Sequence, residues 1–303
     1  MSARVRLSPT RATSAKTAER RSTGFLLLTL GRIVRRPLGK FGAVATALLV
    51  VMALAAPLLA PYSPYVQHEG QELLAPSAKY LLGTDDFGRD ILSRVIYGSR
   101  LSFLVGIVSV LLGVAVGVTS GLVAGSWGGW VEGLTMRFYD ALMAFPAILL
   151  GIAVATVLGP GVINAAIAVG IVSMPQFARI ARAAMLAEKG KDYVSAARTL
   201  GASDTRIVFR HVLPNATSPV LVQMSLAMAF AVLLEASLSF LGLGAQPPEP
   251  SWGSMLNTSR SFLRQAPWYG IVPGVFLSLL LLALNLLADA VRDALDPRQI
   301  NLA

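Results

Sequence analysis

"DYVSAARTLGASDTRIVFRHVLPN", Asp192–Asn215, is polar and basic between two stretches oily enough for a lipid bilayer. A connector between spans needs only a few residues, and this one carries ordered punctuation. Asp192 is placed to cap a short helix whose Val194, Ala196, Ala197 and Leu200 would pack on a neighbour, with Gly201 as its stop. Ser203 is placed to cap a second piece through Ile207, Val208 and Val212, and Pro214-Asn215 opens the next apolar run. The pattern is helix, turn, helix at a membrane surface. It reads either as a solvated connector or, favoured by the punctuation, as a docking surface.

Outward from this segment the chain is a polytopic membrane protein. Of its 303 residues 54% are hydrophobic and 14% charged, against about 25% charged in soluble domains. A crossing helix needs about 20 mostly apolar residues. Phe41 to Ala60 supplies the first and Leu101 to Gly125 the second. Ala141 to Ala178 is uncharged, too long for one crossing, and reads as two helices joined at Gly159-Pro160-Gly161. Ala216 to Leu241 and Gln265 to Ala288 complete six. The expected fold is all-α, because helices satisfy their own backbone in lipid.

The basic residues orient it. Residues 1–40, the turn around Arg137, Arg179 to Arg210 and the C-terminal tail hold 20 Lys and Arg, whereas the opposite face holds six. Retention of basic residues inside places both termini and the polar segment in the cytoplasm. The expected organisation is a basic tail (1–40) with an interfacial helix at Gly24–Lys40, the first span (41–60) and an extracytoplasmic loop (61–100). A five-helix core (101–288) containing the polar segment (190–215) and a tail (289–303) follow. The tail composition also resembles a transit peptide, but a basic cytoplasmic tail accounts for it. The basic residues flank apolar runs instead of lining one face, which argues against nucleic acid.

The spacing within the opening segment resembles the cytoplasmic signature of permease subunits of ATP-binding cassette importers. Ser195-Ala196-Ala197, Gly201 and His211-Val212-Leu213-Pro214 fall in its register, with Ser195 where the family has Glu. "LLGTDDFGRDILSRVIYGSRLSF" (81–103), "MAFPAILL" (143–150), "LEASLSFLGLGAQPPEPSWG" (234–253) and "RDALDPR" (292–298) resemble the C-type permease of dipeptide and oligopeptide importers. The resemblance implies a type I importer permease fold in a bacterial inner membrane, and import of peptides, or of nickel or another small solute. It also implies a B-type permease partner, two ATPase subunits or domains and an extracytoplasmic binding protein. The ATPase-coupling residues it implies are Ser195, Ala196, Ala197, Leu200, Gly201, Asp204, His211, Leu213 and Pro214. An outer loop, Gly242 to Trp268, becomes a candidate contact for the binding protein, with Trp252, Trp268 and Tyr269 suited to the membrane interface.

Other residues carry paired readings. Gly113, Gly117, Gly121 and Gly125 form a smooth stripe for close helix approach, within the subunit or against a sister permease. Glu235, a carboxylate well inside a span, either faces the path or the sister subunit, or pairs with a basic loop residue near the outer interface. Asp85, Asp86 and Asp90 fit no calcium loop and, with Arg89 among them, read as an outer turn held by Asp–Arg pairs. Cysteine is absent, His68 and His211 fall on opposite faces, and no metal site is expected. No phosphate-binding G-x-x-x-x-G-K-[ST] occurs. The chain is therefore expected to be non-catalytic and to bind no cofactor, with ATP and magnesium held by partners. A stand-alone secondary carrier would show inverted repeats, and an intramembrane enzyme or receptor a catalytic pair or a signalling domain; the sequence shows none of these.

Overall fold

The structure, a computed structural model, describes residues 36–295. The basic tail before residue 36, including most of the expected interfacial helix, and residues 296–303 lie outside them. Among the described residues the chain is helical, with one isolated bridge between Thr84 and Asp90. Its elements are α1 (Pro37–Leu54), α2 (Ala56–Leu59), α3 (Ile91–Trp127), α4 (Gly129–Met143), α5 (Ala147–Leu158), α6 (Val162–Lys189), α7 (Asp192–Thr199), α8 (Asp204–Ile207), α9 (Leu213–Phe240), α10 (Trp252–Ser259) and α11 (Pro267–Leu295). Five of these are long and apolar enough to cross a membrane, and α4 with α5 makes a sixth crossing if the pair counts as one.

Helix boundaries depart from the hydropathy reading where local chemistry overrides it. α3 begins at Ile91, inside the expected outer loop, because the Asp90 carboxylate accepts hydrogen bonds from Ser93 N (2.8 Å) and Ser93 Oγ (2.6 Å). That N-cap fixes the first turn. Its 37 residues span about 55 Å, well beyond the roughly 30 Å of hydrocarbon. Arg137 lies in α4 and not in a turn. The expected third span is only the twelve residues of α5, completed by α4 across a 96° bend at Ala144-Phe145-Pro146. Proline drives the residue before it away from helical geometry, and uniform apolarity hides that break from a hydropathy window.

The central pair is α3 against α6, and the glycine stripe is what brings them together. A Cβ on Gly117 would lie 2.6 Å from Met174 O, and one on Gly121 2.2 Å from Ala178 O. Gly113 meets Phe177 and Gly125 meets Met185. The stripe is therefore spent within the subunit and is not a surface for a sister permease. α9 packs on α3, α6 and α11, while α1 packs on α11, where Gly42 approaches Leu287.

Two large apolar cores result among the described residues, beside a small cluster around Ala290 and Ala294. One, around Leu122, Phe177 and Met185, continues into Val194, Ile207 and Val212 of the polar segment. The other gathers Leu49, Ile91, Trp252, Tyr269 and Leu280 beneath the 61–90 loop. Trp252 and Tyr269 are thus core residues, not interface aromatics. The Trp252 indole is buried and its Nε1–H donates to Val95 O (2.9 Å), which satisfies the one polar atom a buried tryptophan carries.

Candidate coupling surface

The polar segment hangs from the ends of α6 and α9. Lys189 Nζ donates to Ser126 O (2.8 Å), tying the end of α6 to the end of α3. Lys191, not Asp192, is the N-cap of α7; its backbone is extended and its side chain makes no capping bond. Asp192 sits in the first turn, where the helix dipole favours an acid. The Lys191 ammonium instead reaches back to Glu188 (2.5 Å), and that hydrogen bond raises it above its ordinary value. Tyr193 Oη also bonds Glu188.

The far end of α7 closes as a Schellman turn. Gly201 N donates to Arg198 O (2.9 Å) and Ala202 N to Ala197 O (3.0 Å), with Gly201 at φ +80°. Ser203 then caps α8 through Arg206 N (3.4 Å), and Arg198 and Asp204 pair across the turn at 3.2 Å. A five-residue π turn, Val208–Val212, carries α8 into α9, whose second residue is Pro214. Leu213 is half-buried and Pro214 exposed; the side chain of His211 lies outside the described residues.

This geometry divides the segment into an anchored underside and an open face. Val194, Ile207 and Val212 are fully buried. Ser195, Ala196, Arg198 and Thr199 are exposed, Ala197 is half-exposed, and Leu200 stands 88% exposed at the tip. A leucine held so far out by an ordered turn is a feature that folding alone does not call for. Gly201→Val tests the turn. The new Cβ would meet nothing within 4 Å, so the cost is conformational, about 1–2 kcal/mol for a left-handed residue. Transport is expected to fall several-fold at unchanged chain abundance, whereas Gly201→Asn, which tolerates that geometry, should keep most of it. Paired uptake and immunoblot measurements check both.

The segment is mechanically continuous with the bent pair. Arg182 of α6 pairs with Glu132 (Nε to Oε1, 2.6 Å), and Arg179 pairs with Asp140 at 2.6 Å. Ser120 Oγ and Tyr139 Oη lie 2.7 Å apart, joining α3 to α4. α4 is therefore clamped to the lower half of α6, and the elbow at Phe145-Pro146 lies beyond the clamp. The α4 carboxylates drew no notice in the sequence, since their partners lie 39 and 50 residues away.

Glu235 lies on no open face and beside no basic residue. It is buried at 1% exposure, and its Oε1 accepts from Ser239 Oγ (2.8 Å) and Ser251 Oγ (3.3 Å). Ser102 of α3 borders the same carboxyl. The group binds α9 to the start of α10 inside the subunit. At the start of α3, Asp85 takes Arg89 at 2.7 Å and Arg94 at 3.3 Å. Half-buried Asp86 is held above the usual carboxylate range chiefly by desolvation, against a bond from Tyr269 Oη (2.9 Å) that favours its charged form. Among the described residues no cluster of His, Cys, Asp or Glu could hold a metal.

Comparison with known proteins accords with this arrangement. The family model described as binding-protein-dependent transport system inner membrane component matches residues 117–301. The model for the N-terminal TM domain of oligopeptide transport permease C matches 25–76. The dipeptide transport system permease protein DppC of Alkalihalophilus pseudofirmus is 42% identical over 88% of both chains. The di/tripeptide transport system permease protein DppC of Pseudomonas aeruginosa is 45% identical over 88% of this chain and 90% of its own length. The glutathione transport system permease protein GsiD of Pectobacterium atrosepticum is 45% identical over 87% of this chain and 89% of its own. Among solved structures, an inward-facing form of the MetNI methionine ABC transporter superposes with a TM-score of 0.56. It covers 68% of this chain and 98% of the other at 17% identity, a likeness of fold.

Proposed function

Because this chain belongs to the family of binding-protein-dependent transport system inner membrane components, we propose that it forms half of an importer's path for di- and oligopeptides. It is a multi-pass permease of the bacterial inner membrane. The observation that carries the coupling role is Leu200, exposed at the tip of a segment whose underside is buried. In this reading both termini and the α7–α8 segment face the cytoplasm, on the side where basic residues are retained. Two ATPase subunits or domains dock there, a B-type permease completes the path, and a binding protein delivers peptide from outside. The chain itself binds no cofactor and catalyses nothing; ATP and magnesium belong to the ATPases.

Coupling then follows from rigid connections. An ATPase that closes on nucleotide moves α7–α8, and the buried anchor passes that motion to the ends of α6 and α9. The Arg179–Asp140 and Arg182–Glu132 pairs carry α4 with α6, so the elbow moves against α9. This is alternating access by displacement of packed helices. Only a difference in ATPase contact between the two states can drive it.

The deciding experiment purifies the chain with its native neighbours and assays ATP-dependent uptake of labelled dipeptide in proteoliposomes. Co-purification of two ATPases and a second permease, with uptake that requires ATP, is expected. Uptake by the lone chain on an ion gradient would overturn the reading. Ser195→Glu bears on the same face. Ser195 is exposed, so the change should alter stability by no more than about 0.5 kcal/mol and leave uptake within about twofold. A large loss would mean that the docking groove rejects a carboxylate at that point.

A further inference from the structure

Gln176 lies near the middle of α6, about 20 Å from either end at 1.5 Å per residue, one turn before Arg179 and so toward the cytoplasmic end of the span. It is exposed. Gln223 Nε2, from α9, donates to Gln176 Oε1 (2.7 Å). That bond uses one end of each amide. Gln176 Nε2 and Gln223 Oε1, a donor and an acceptor, have no other partner among the described residues. A pair serving only to join two helices would be buried between them. Amide groups left open within the span must meet water, a polar ligand or protein, because hydrocarbon cannot satisfy them.

The surroundings continue the polar line. One turn toward the cytoplasmic end, Arg179 pairs with Asp140 while both side chains remain about half exposed, at 49% and 57%. Next to Gln176 is a cavity of about 190 Å3, lined by Gln176, Ser173, Ala227, Phe230 and the elbow residues Met143 and Phe145. The polar strip thus ends at a cavity walled in part by the elbow, the part of the chain that α4 moves. Prolines interrupt both helices nearby, at Pro175 and at Pro219, and each removes a helical hydrogen bond where the helices would have to bend.

We propose that the Gln176–Gln223 pair lines the inner part of the translocation path and binds the backbone of the passing peptide. Gln176 Nε2 donates to a peptide carbonyl and Gln223 Oε1 accepts from a peptide N–H. Every peptide presents that donor–acceptor edge whatever its side chains, so the contact suits a permease that must not select among sequences. The inference rests on the peptide-importer reading, and the test separates the two.

The chain contains no cysteine, so Gln223→Cys introduces its sole thiol. The complete importer carrying it, in proteoliposomes, is treated with a small cationic methanethiosulfonate, with and without a saturating transported dipeptide and its binding protein. Reaction during ATP turnover, slowed by peptide, is expected. In parallel, the double substitution Gln176→Leu, Gln223→Leu should raise the KM for dipeptide uptake about tenfold, the scale of two ordinary hydrogen bonds. A thiol that never reacts, as when a sister permease covers this face, would overturn the inference alone, provided the unsubstituted importer takes up peptide. So would an unchanged KM. If the unsubstituted importer moves no peptide, the function reading fails, and a reactive thiol would then uphold only the aqueous placement of the pair.

Discussion

Asp85→Ala is expected to destabilise the chain by about 3–5 kcal/mol, the scale for removing one partner from a buried ion pair. Asp85 has no exposed surface, and both of its carboxylate oxygens accept hydrogen bonds. Oδ1 accepts from Phe87 N and Arg89 N, both at 2.9 Å, and Oδ2 from Arg89 Nε at 2.7 Å. The same oxygen is 3.3 Å from Arg94 Nε. Arg94 in turn donates to Pro64 O (3.0 Å) and reaches Pro248 O (3.5 Å), so one carboxylate holds the 61–90 loop, the start of α3 and the 242–251 loop together. Alanine would leave two buried guanidinium groups facing each other without their shared anion. Asp85→Asn keeps shape and part of the bonding, and should lose less. Asp86→Asn, which changes a half-buried group bonded to Tyr269, should cost only about 1 kcal/mol. Thermal unfolding of the detergent-purified complex and chain abundance in membranes are the measurements. An Asp85→Ala protein that unfolds with the unsubstituted one would show that water solvates the cluster.

The sequence made the crossings legible because hydropathy reports exposure to lipid, but it was blind to what ends a helix. Asp90 with Ser93 is a start signal written in four residues, yet a window tuned to apolar runs places the helix ten residues late. The elbow at Phe145-Pro146 was hidden for the opposite reason, since the residues around it are uniformly apolar and only the proline marks the break. Glycine spacing announced a close helix approach without naming the partner; Met174 O and Ala178 O, within contact of the missing Cβ atoms, do so. Glu235 stood out as a charge in a span. Its environment consists of serines at positions 102, 239 and 251, only one of them close in sequence. Gln176 and Gln223 gave no signal, because an amide barely lowers the hydropathy of a long apolar helix and their pairing exists only in the fold. In the α7–α8 segment the Gly201 stop and the Ser203 cap were legible because they are local, while the cap expected at Asp192 falls one residue earlier, at Lys191.

That segment also yields the largest functional effect expected of a substitution that leaves the fold alone. Leu200→Asp changes a side chain that is 88% exposed and holds nothing in place, so stability should stay within about 0.5 kcal/mol. If the tip enters an apolar groove on an ATPase, the aspartate would be desolvated without a partner. Truncating a central anchor of an interface costs about 2 kcal/mol or more, and association should weaken at least about 30-fold. ATP-dependent uptake should collapse while the purified chain keeps its helix content and melting behaviour. Leu200→Met conserves volume and apolarity and should be nearly silent, and Arg198→Ala, at the rim, should matter little. The sign of the charge separates docking from the blander idea that the leucine dips into the inner leaflet. A membrane anchor would gain from Leu200→Lys on anionic lipid, by about 1 kcal/mol. An apolar docking groove rejects lysine as it rejects aspartate. Equal loss with both charges places a protein over Leu200; uptake that survives Leu200→Lys and fails only with Leu200→Asp places the lipid surface there.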